Sequence, residues 1–290
     1  MLSAARQDYA EGKYYDAIAK LQEFLIEGTV KRREKRAYLL MGECYEQLGK
    51  PDYALNTYME GSELNPKDKE LLLKLGSLYL QTELTQNSIE AYKKVLDLDP
   101  NDRRAFLGLA RAYSKEGFFS KAEEYFHNYI KTAADNADNV VIYYEYAWTY
   151  YKQRKYNEAL FYTALSLERG EENADNLFLA ARIHRAQNKK EEAFDFMDKA
   201  VNAADNKRKK EEILLTKALW LYKEGDNKGA IMIANQLLKE KPKSQLALFI
   251  KYLSLDAQGK KKEAKKYLEP VIEENSQSFI NKVSLILVEK

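Results

Sequence analysis

The chain has 290 residues, of which 45% are hydrophobic and 32% charged, enough apolar side chains to bury a core without disulfides or metals. Five prolines and twelve glycines are too few for an all-β fold with many tight turns. Forty-seven basic and forty-five acidic residues leave a net charge of +2, which excludes a strong overall field toward nucleic acid or anionic membranes.

The single cysteine and the absence of long apolar segments bear on compartment. Cys44 has no partner for an internal disulfide, which fits a reducing environment. No stretch approaches the roughly 20 apolar residues that a membrane-spanning helix needs. We therefore expect a soluble protein, with a cytoplasmic location slightly favoured, or a periplasmic or membrane-anchored one if a leader has been removed.

A small residue recurs along the chain at intervals of 34 or 37 positions. The recurring residues are Ala17, Ala54, Ser88, Ala122, Ala159, Ala193, Ala230 and Ala264. Eight units of helix, turn and helix fill this pattern, because each apolar stripe of about 14 residues needs a neighbouring helix to cover it. The predicted repeats are 1–31, 35–68, 69–102, 103–136, 140–173, 174–207, 211–244 and 245–278.

Three repeats carry the same sequence pattern within the helices. The first set is Tyr38, Met41, Gly42, Tyr45, Gly49, Ala54, Tyr58 and Pro66; the second is Leu72, Leu75, Gly76, Tyr79, Ser88, Tyr92 and Pro100; the third is Phe106, Leu109, Ala110, Tyr113, Gly117, Ala122 and Phe126. This pattern resembles the tetratricopeptide repeat family over essentially the whole chain. Departures from it increase toward the C-terminus, where the proline and the aromatic residue of the second helix are often lost.

The resemblance implies an all-α fold. We expect a right-handed α-solenoid of about eight tetratricopeptide-type hairpins, forming a single superhelix over residues 1–290, with a C-terminal helix at 279–290. Three intervals are longer, near 29–34, 132–139 and 202–210, and we interpret them as lengthened second helices or inter-repeat loops. The apolar terminal segment indicates either an excised part of a larger protein or a helix that docks on a partner or a second copy.

In the tetratricopeptide family, the first helix of each repeat lines a concave groove and contacts a peptide. The corresponding positions here predict a partner-binding site in the three middle repeats. Its members are Arg111, Lys115, Tyr144, Trp148, Tyr151, Lys152, Phe178, Arg182 and Arg185.

The fifth repeat carries the strongest part of this prediction. Tyr144, Trp148 and Tyr151 recur at helical spacing and form a second apolar face beyond the one that the repeat needs for its own core. Trp, Tyr and Arg are typical of binding hot spots, so an acidic peptide with an apolar anchor would suit this surface. The alternative is that these aromatic side chains pack on one another or on a following helix.

Other functions find little support in the sequence. No phosphate-binding, zinc-hydrolase or serine-hydrolase motif occurs, and we expect no catalytic residues, no metal and no cofactor. The basic clusters lie at turns in distant repeats, which disfavours nucleic acid.

We therefore expect a non-catalytic scaffold or adaptor that binds a peptide or partner domain. Self-assembly or docking through the apolar C-terminal end is the alternative, with homo-oligomers as its consequence. A regulatory module of a larger protein is a weaker alternative.

Overall fold

A computed structural model describes residues 1–26, 34–132, 140–169 and 173–273. Over these residues the chain forms sixteen α-helices and no β-strand, which confirms the all-α, hairpin-repeat prediction. The predicted terminal helix at 279–290 and most of the first two longer intervals lie outside the described residues.

The helices fall into two compact units, Met1–Gln153 and Arg154–Lys290, whose boundary lies between the two helices of the fifth predicted repeat. The single superhelix over 1–290 stays a prediction. The first unit contains α1 (Leu2–Ala10), α2 (Tyr14–Ile26), α3 (Lys35–Gln47), α4 (Pro51–Leu64), α5 (Lys69–Gln81), α6 (Thr85–Leu98), α7 (Arg103–Lys115), α8 (Phe119–Thr132) and α9 (Val140–Lys152). The second contains α10 (Tyr156–Glu168), α11 (Ala174–Ala186), α12 (Lys190–Ala203), α13 (Lys207–Lys223), α14 (Asn227–Glu240), α15 (Gln245–Ala257) and α16 (Lys261–Glu273).

The recurring small residue lies in the second helix of every repeat and is fully buried in all eight. A turn residue with positive φ precedes it by five positions each time, as Gly49 precedes Ala54. Glycine adopts this left-handed conformation without steric cost. Glu83, Arg154 and Asn188 take it in three repeats, so the turn geometry persists where the glycine is lost.

Side-chain caps fix where several first helices begin. The Asp68 carboxylate accepts a hydrogen bond from Leu71 N at 3.0 Å, and the Asp102 carboxylate accepts one from Ala105 N at the same distance. Both carboxylates also pair with the lysine that begins the preceding first helix, Lys35 of α3 and Lys69 of α5 respectively. One side chain at each of these two positions therefore caps a first helix and links its start to the start of the preceding first helix.

The third longer interval lengthens a first helix, which corrects the prediction that it lies in a second helix or a loop. Helix α13 has 17 residues, whereas α11 and α15 have 13 each. Asn206 caps its start by accepting a hydrogen bond from Lys209 N at 2.8 Å. The additional residues therefore extend α13 at its N-terminal end.

Candidate binding groove

The first helices of successive hairpins in the first unit contact one another. Helix α1 contacts α3, α3 contacts α5, and α5 contacts α7. The second helices α4 and α6 do not pack on each other to the same extent. Closer spacing of the first helices is expected where they lie on the inner side of a curved stack.

A cleft of about 410 Å³ opens between α5 and α7. Its lining combines charged groups with three leucines and comprises Glu70, Leu73, Lys74, Ser77, Leu80, Gln81, Tyr92, Arg104, Leu107, Gly108 and Arg111. Most of these residues come from the first helices, whereas Tyr92 belongs to the second helix α6. The volume falls in the range of small-ligand and side-chain pockets.

Tyr92 reaches this cleft through a gap that two glycines leave between α5 and α7. A Cβ on Gly76 would lie 2.8 Å from the Tyr92 ring, and a Cβ on Gly108 would lie 2.2 Å from it. Tyr92 is only 5% exposed. Burial raises the pKa of Tyr92 to about 12, so the phenol remains a neutral hydroxyl at the floor of the cleft.

A second cleft of about 330 Å³ opens between α7 and α9. Its lining comprises Arg111, Ser114, Lys115, Phe126, Tyr144, Glu145 and Trp148. Arg111 thus lines both clefts, because its helix α7 separates them. Four of the predicted site residues, Arg111, Lys115, Tyr144 and Trp148, are brought together here.

The two arginines that line the clefts, Arg104 and Arg111, each pair with a carboxylate of a neighbouring repeat. Arg111 donates from Nε to Glu145 Oε2 at 2.8 Å and from Nη2 to Glu145 Oε1 at 2.9 Å. Arg104 donates to both carboxylate oxygens of Glu70 at 2.8 and 2.6 Å. Desolvation lowers the pKa of Arg111, but the hydrogen bond and charge of Glu145 outweigh it and raise the pKa above its usual value.

The remaining predicted residues of the first unit lie beside Trp148. The Tyr151 ring is 5.6 Å from the Trp148 ring, centroid to centroid, and the Lys152 ammonium lies 4.7 Å from the centroid of the same ring. Lys115 donates to the backbone oxygen of Leu80 at 3.1 Å. Tyr151 and Lys152 thus place a second aromatic ring and a cation beside Trp148.

The three predicted residues of the second unit contact other side chains of that unit. Phe178 is only 6% exposed and belongs to the hydrophobic core of that unit, with the Arg182 guanidinium 5.6 Å from its ring centroid. Arg185 lies 4.7 Å from the Trp220 ring centroid and pairs with Glu224 at 3.3 Å. In this structure Phe178 packs the core, and its side chain is not an exposed anchor.

The sequence analysis missed two carboxylates, Glu70 and Glu145, and the tyrosine Tyr92 that line the clefts. Glu145 lies 34 positions after Arg111, and Arg104 lies 34 positions after Glu70. Opposite charges separated by one repeat length are therefore the signal that would have identified both pairs. Tyr92 has no comparable signal, because its sequence position is that of an ordinary core aromatic.

Neither a metal-binding group of side chains nor a membrane-spanning helix is present among the described residues. Within the described ranges, no three His, Cys, Asp or Glu side chains lie together in a way that could hold a metal ion. None of the described helices combines the length and the hydropathy needed to cross a bilayer.

Comparison with known proteins identifies the repeats. A family model described as tetratricopeptide repeat matches residues 35–68 and 70–102, which contain the hairpins α3/α4 and α5/α6. Anaphase-promoting complex subunit 3 of Dictyostelium discoideum is 37% identical over 60 residues, which cover 21% of this chain. The match spans only 6% of the length of that relative.

Solved structures extend the likeness beyond these two repeats. The C-terminal part of a TPR repeat-containing protein from Cytophaga hutchinsonii has a TM-score of 0.65 at 18% identity, covering 86% of this chain and 98% of that one. PilF of Pseudomonas aeruginosa has a TM-score of 0.58 at 17% identity, with coverages of 73% and 93%. PilW, described as a widely conserved type IV pilus biogenesis factor, has a TM-score of 0.56 at 21% identity, with coverages of 68% and 89%.

At these identities the solved structures establish the fold alone. The chain therefore contains tetratricopeptide repeats at residues 35–68 and 70–102, and its fold is similar to that of a solved tetratricopeptide repeat protein over most of its length.

Proposed function

We propose that the chain is a non-catalytic scaffold whose first unit binds an extended segment of a protein partner along the two clefts of α5, α7 and α9. The observation that carries this proposal is the position of Arg111, which lines both clefts, with Tyr144 and Trp148 in the wall of the second. A segment that lies across α7 would contact one guanidinium and two aromatic rings together. Such a combination is typical of binding hot spots.

The charge of the two clefts favours an acidic segment. Their lining contains four cationic side chains, Lys74, Arg104, Arg111 and Lys115, against two carboxylates, Glu70 and Glu145. The lining alone has an excess of two positive charges, while Lys74 and Lys115 also pair with Glu43 and Glu83 beside the clefts. A carboxylate-bearing ligand would compete with these side chains for the cations and be positioned over the apolar walls. We therefore propose an acidic segment with one large apolar side chain that contacts Trp148.

A random peptide library displayed against the folded protein tests this proposal. The selected peptides are titrated against wild type, Trp148→Ala and Arg111→Gln. We expect each variant to bind roughly tenfold or more weakly, because truncating a central hot-spot residue typically costs that much. Phe161→Ala is the matched control, since Phe161 is a 58% exposed aromatic residue on the second helix α10.

Equal affinity of wild type and folded Trp148→Ala for every selected peptide would refute the groove as the binding site. Circular dichroism establishes that each variant remains helical. Arg182→Glu, measured with the same peptides, tests whether the predicted residues Phe178, Arg182 and Arg185 of the second unit also take part.

Self-assembly through the C-terminal segment remains the alternative hypothesis. The segment lies outside the described residues, so the hypothesis depends on its apolar sequence alone. Light scattering of wild type and Leu287→Asp distinguishes the two functions, because only self-assembly predicts an oligomer that the substitution removes.

A further inference from the structure

The carboxylate of Glu145 already occupies the position on Arg111 that an acidic ligand would need. It accepts hydrogen bonds from Nε and Nη2 at 2.8 and 2.9 Å, which is the two-point geometry that arginine offers to any carboxylate. The two residues come from different helices, α7 and α9, and both line the cleft between them. The pair thus lies in the proposed binding surface.

The Arg111–Glu145 pair is partly exposed to solvent, so a ligand carboxylate can reach it and replace Glu145. The side chains of Arg111 and Glu145 are 41% and 27% exposed, so a ligand and water can reach both. Ion pairs that remain in contact with water contribute little net free energy, because each partner is nearly as well solvated when separated. Glu145 can therefore leave Arg111 without a large penalty.

We propose that Glu145 is an internal competitor of the ligand for Arg111. The carboxylate of the bound segment replaces that of Glu145 on Nε and Nη2, and Glu145 turns toward solvent. This inference rests on the proposed function, since it states how the same groove selects its partner. The cation that is not held by Glu145 in this cleft, Lys115, interacts instead with Leu80 and Glu83 of the preceding repeat.

Competition of this kind makes the groove selective. A segment with an acidic residue and no apolar anchor gains little, because its carboxylate only exchanges with Glu145. A segment that also covers Trp148 gains apolar contact that Glu145 cannot supply. The internal pair therefore lowers the apparent affinity for acidic segments by about fivefold, the factor expected from an exposed pair near the upper end of the usual range.

Glu145→Gln tests the inference, because glutamine keeps the size of the side chain and removes its charge. The probe is a fluorescein-labelled acidic peptide selected on wild type, compared with the same peptide after its Asp and Glu are changed to Asn and Gln. We expect Glu145→Gln to bind the acidic peptide about fivefold more tightly and the amide peptide unchanged. Asp195→Asn makes the same change in net charge on the second helix α12 and is expected to alter neither affinity.

The opposite role for Glu145 predicts the opposite sign. If Glu145 orients Arg111 toward the ligand, Glu145→Gln will bind the acidic peptide more weakly, and the inference is wrong; equal affinity also overturns it. Either result leaves the proposed function intact as long as binding still depends on Trp148. If no selected peptide depends on Trp148, the proposed function and the inference fail together.

Folding of the variants is controlled with a second substitution. Glu145→Asp keeps the charge but shortens the side chain, which weakens the two-point geometry on Arg111. If Glu145→Gln does not fold by circular dichroism, a tighter affinity of Glu145→Asp for the acidic peptide supports the inference, and an unchanged or weaker one overturns it.

Discussion

Gly76 of α5 and Gly108 of α7 hold the Tyr92 ring between the two helices, and replacing Gly108 by alanine would disturb this contact. A Cβ on residue 108 would lie 2.2 Å from Tyr92 Cζ, and two further ring atoms lie within 2.5 Å. The ring cannot easily move away, because a Cβ position on Gly76 is already 2.8 Å from it and Tyr92 is 5% exposed. One of the two helices must shift instead.

The expected magnitude follows from two opposing terms. Alanine is favoured over glycine inside a helix by about 1 kcal/mol. Overpacking a well-filled core costs about 1 to 3 kcal/mol, and this contact belongs at the upper end because helix backbone must move. We therefore expect Gly108→Ala to lower the free energy of unfolding of the first unit by about 2 kcal/mol.

The assay must report on the first unit alone, because repeat arrays do not always unfold in one step. Of the two tryptophans, Trp148 lies in the first unit and Trp220 in the second. Urea unfolding followed by fluorescence in a Trp220→Phe background therefore measures the first unit through Trp148.

The matched control is Gly108→Ala in protein that carries Tyr92→Leu, where no ring opposes the new methyl group. In that background the substitution should be neutral or stabilising, by up to about 1 kcal/mol. Equal effects of Gly108→Ala in the two backgrounds, or stabilisation of the protein that retains Tyr92, would refute the argument.

Two further predictions concern helix capping and the buried thiol. Asp68→Ala should lower the free energy of unfolding by about 1 to 2 kcal/mol in urea titrations, because it removes the side chain that caps Leu71 N. The control is Ser244→Ala, at a cap position without a side-chain hydrogen bond, which should lower the free energy of unfolding by less than about 0.5 kcal/mol. Equal costs would contradict the capping argument. Burial raises the pKa of the Cys44 thiol from 9.0 to about 11, so at pH 8 the native protein should react with a disulfide reagent roughly 100-fold more slowly than the urea-unfolded chain. Equal rates for the native and the unfolded protein would contradict the raised pKa of Cys44. Because the pKa of this thiol is higher in the folded state, its contribution to the free energy of unfolding is complete below pH 9 and is lost between pH 9 and 11.

The repeat register follows from the amino-acid sequence alone. Residues such as Ala54 and Ser88 identify the close crossings between helices, and all eight members of that series are fully buried. Helix periodicity is a local property, because each hairpin buries one apolar stripe whatever its neighbours contain. For the same reason, the surplus apolar face that contains Trp148 could be recognised within one helix.

The side chains that line the clefts, and their exposure and charge pairing, depend on the packing of neighbouring repeats. Leu107, Tyr144 and Phe178 occupy equivalent repeat positions, yet the first two are half-buried and line clefts, whereas Phe178 is packed in a core. Arg111 is held by Glu145 one repeat away. The exposure and charge pairing of a cleft residue depend on side chains about 34 positions away in the sequence. The local helical pattern does not determine the size or charge of those distant side chains, so it could not predict these properties.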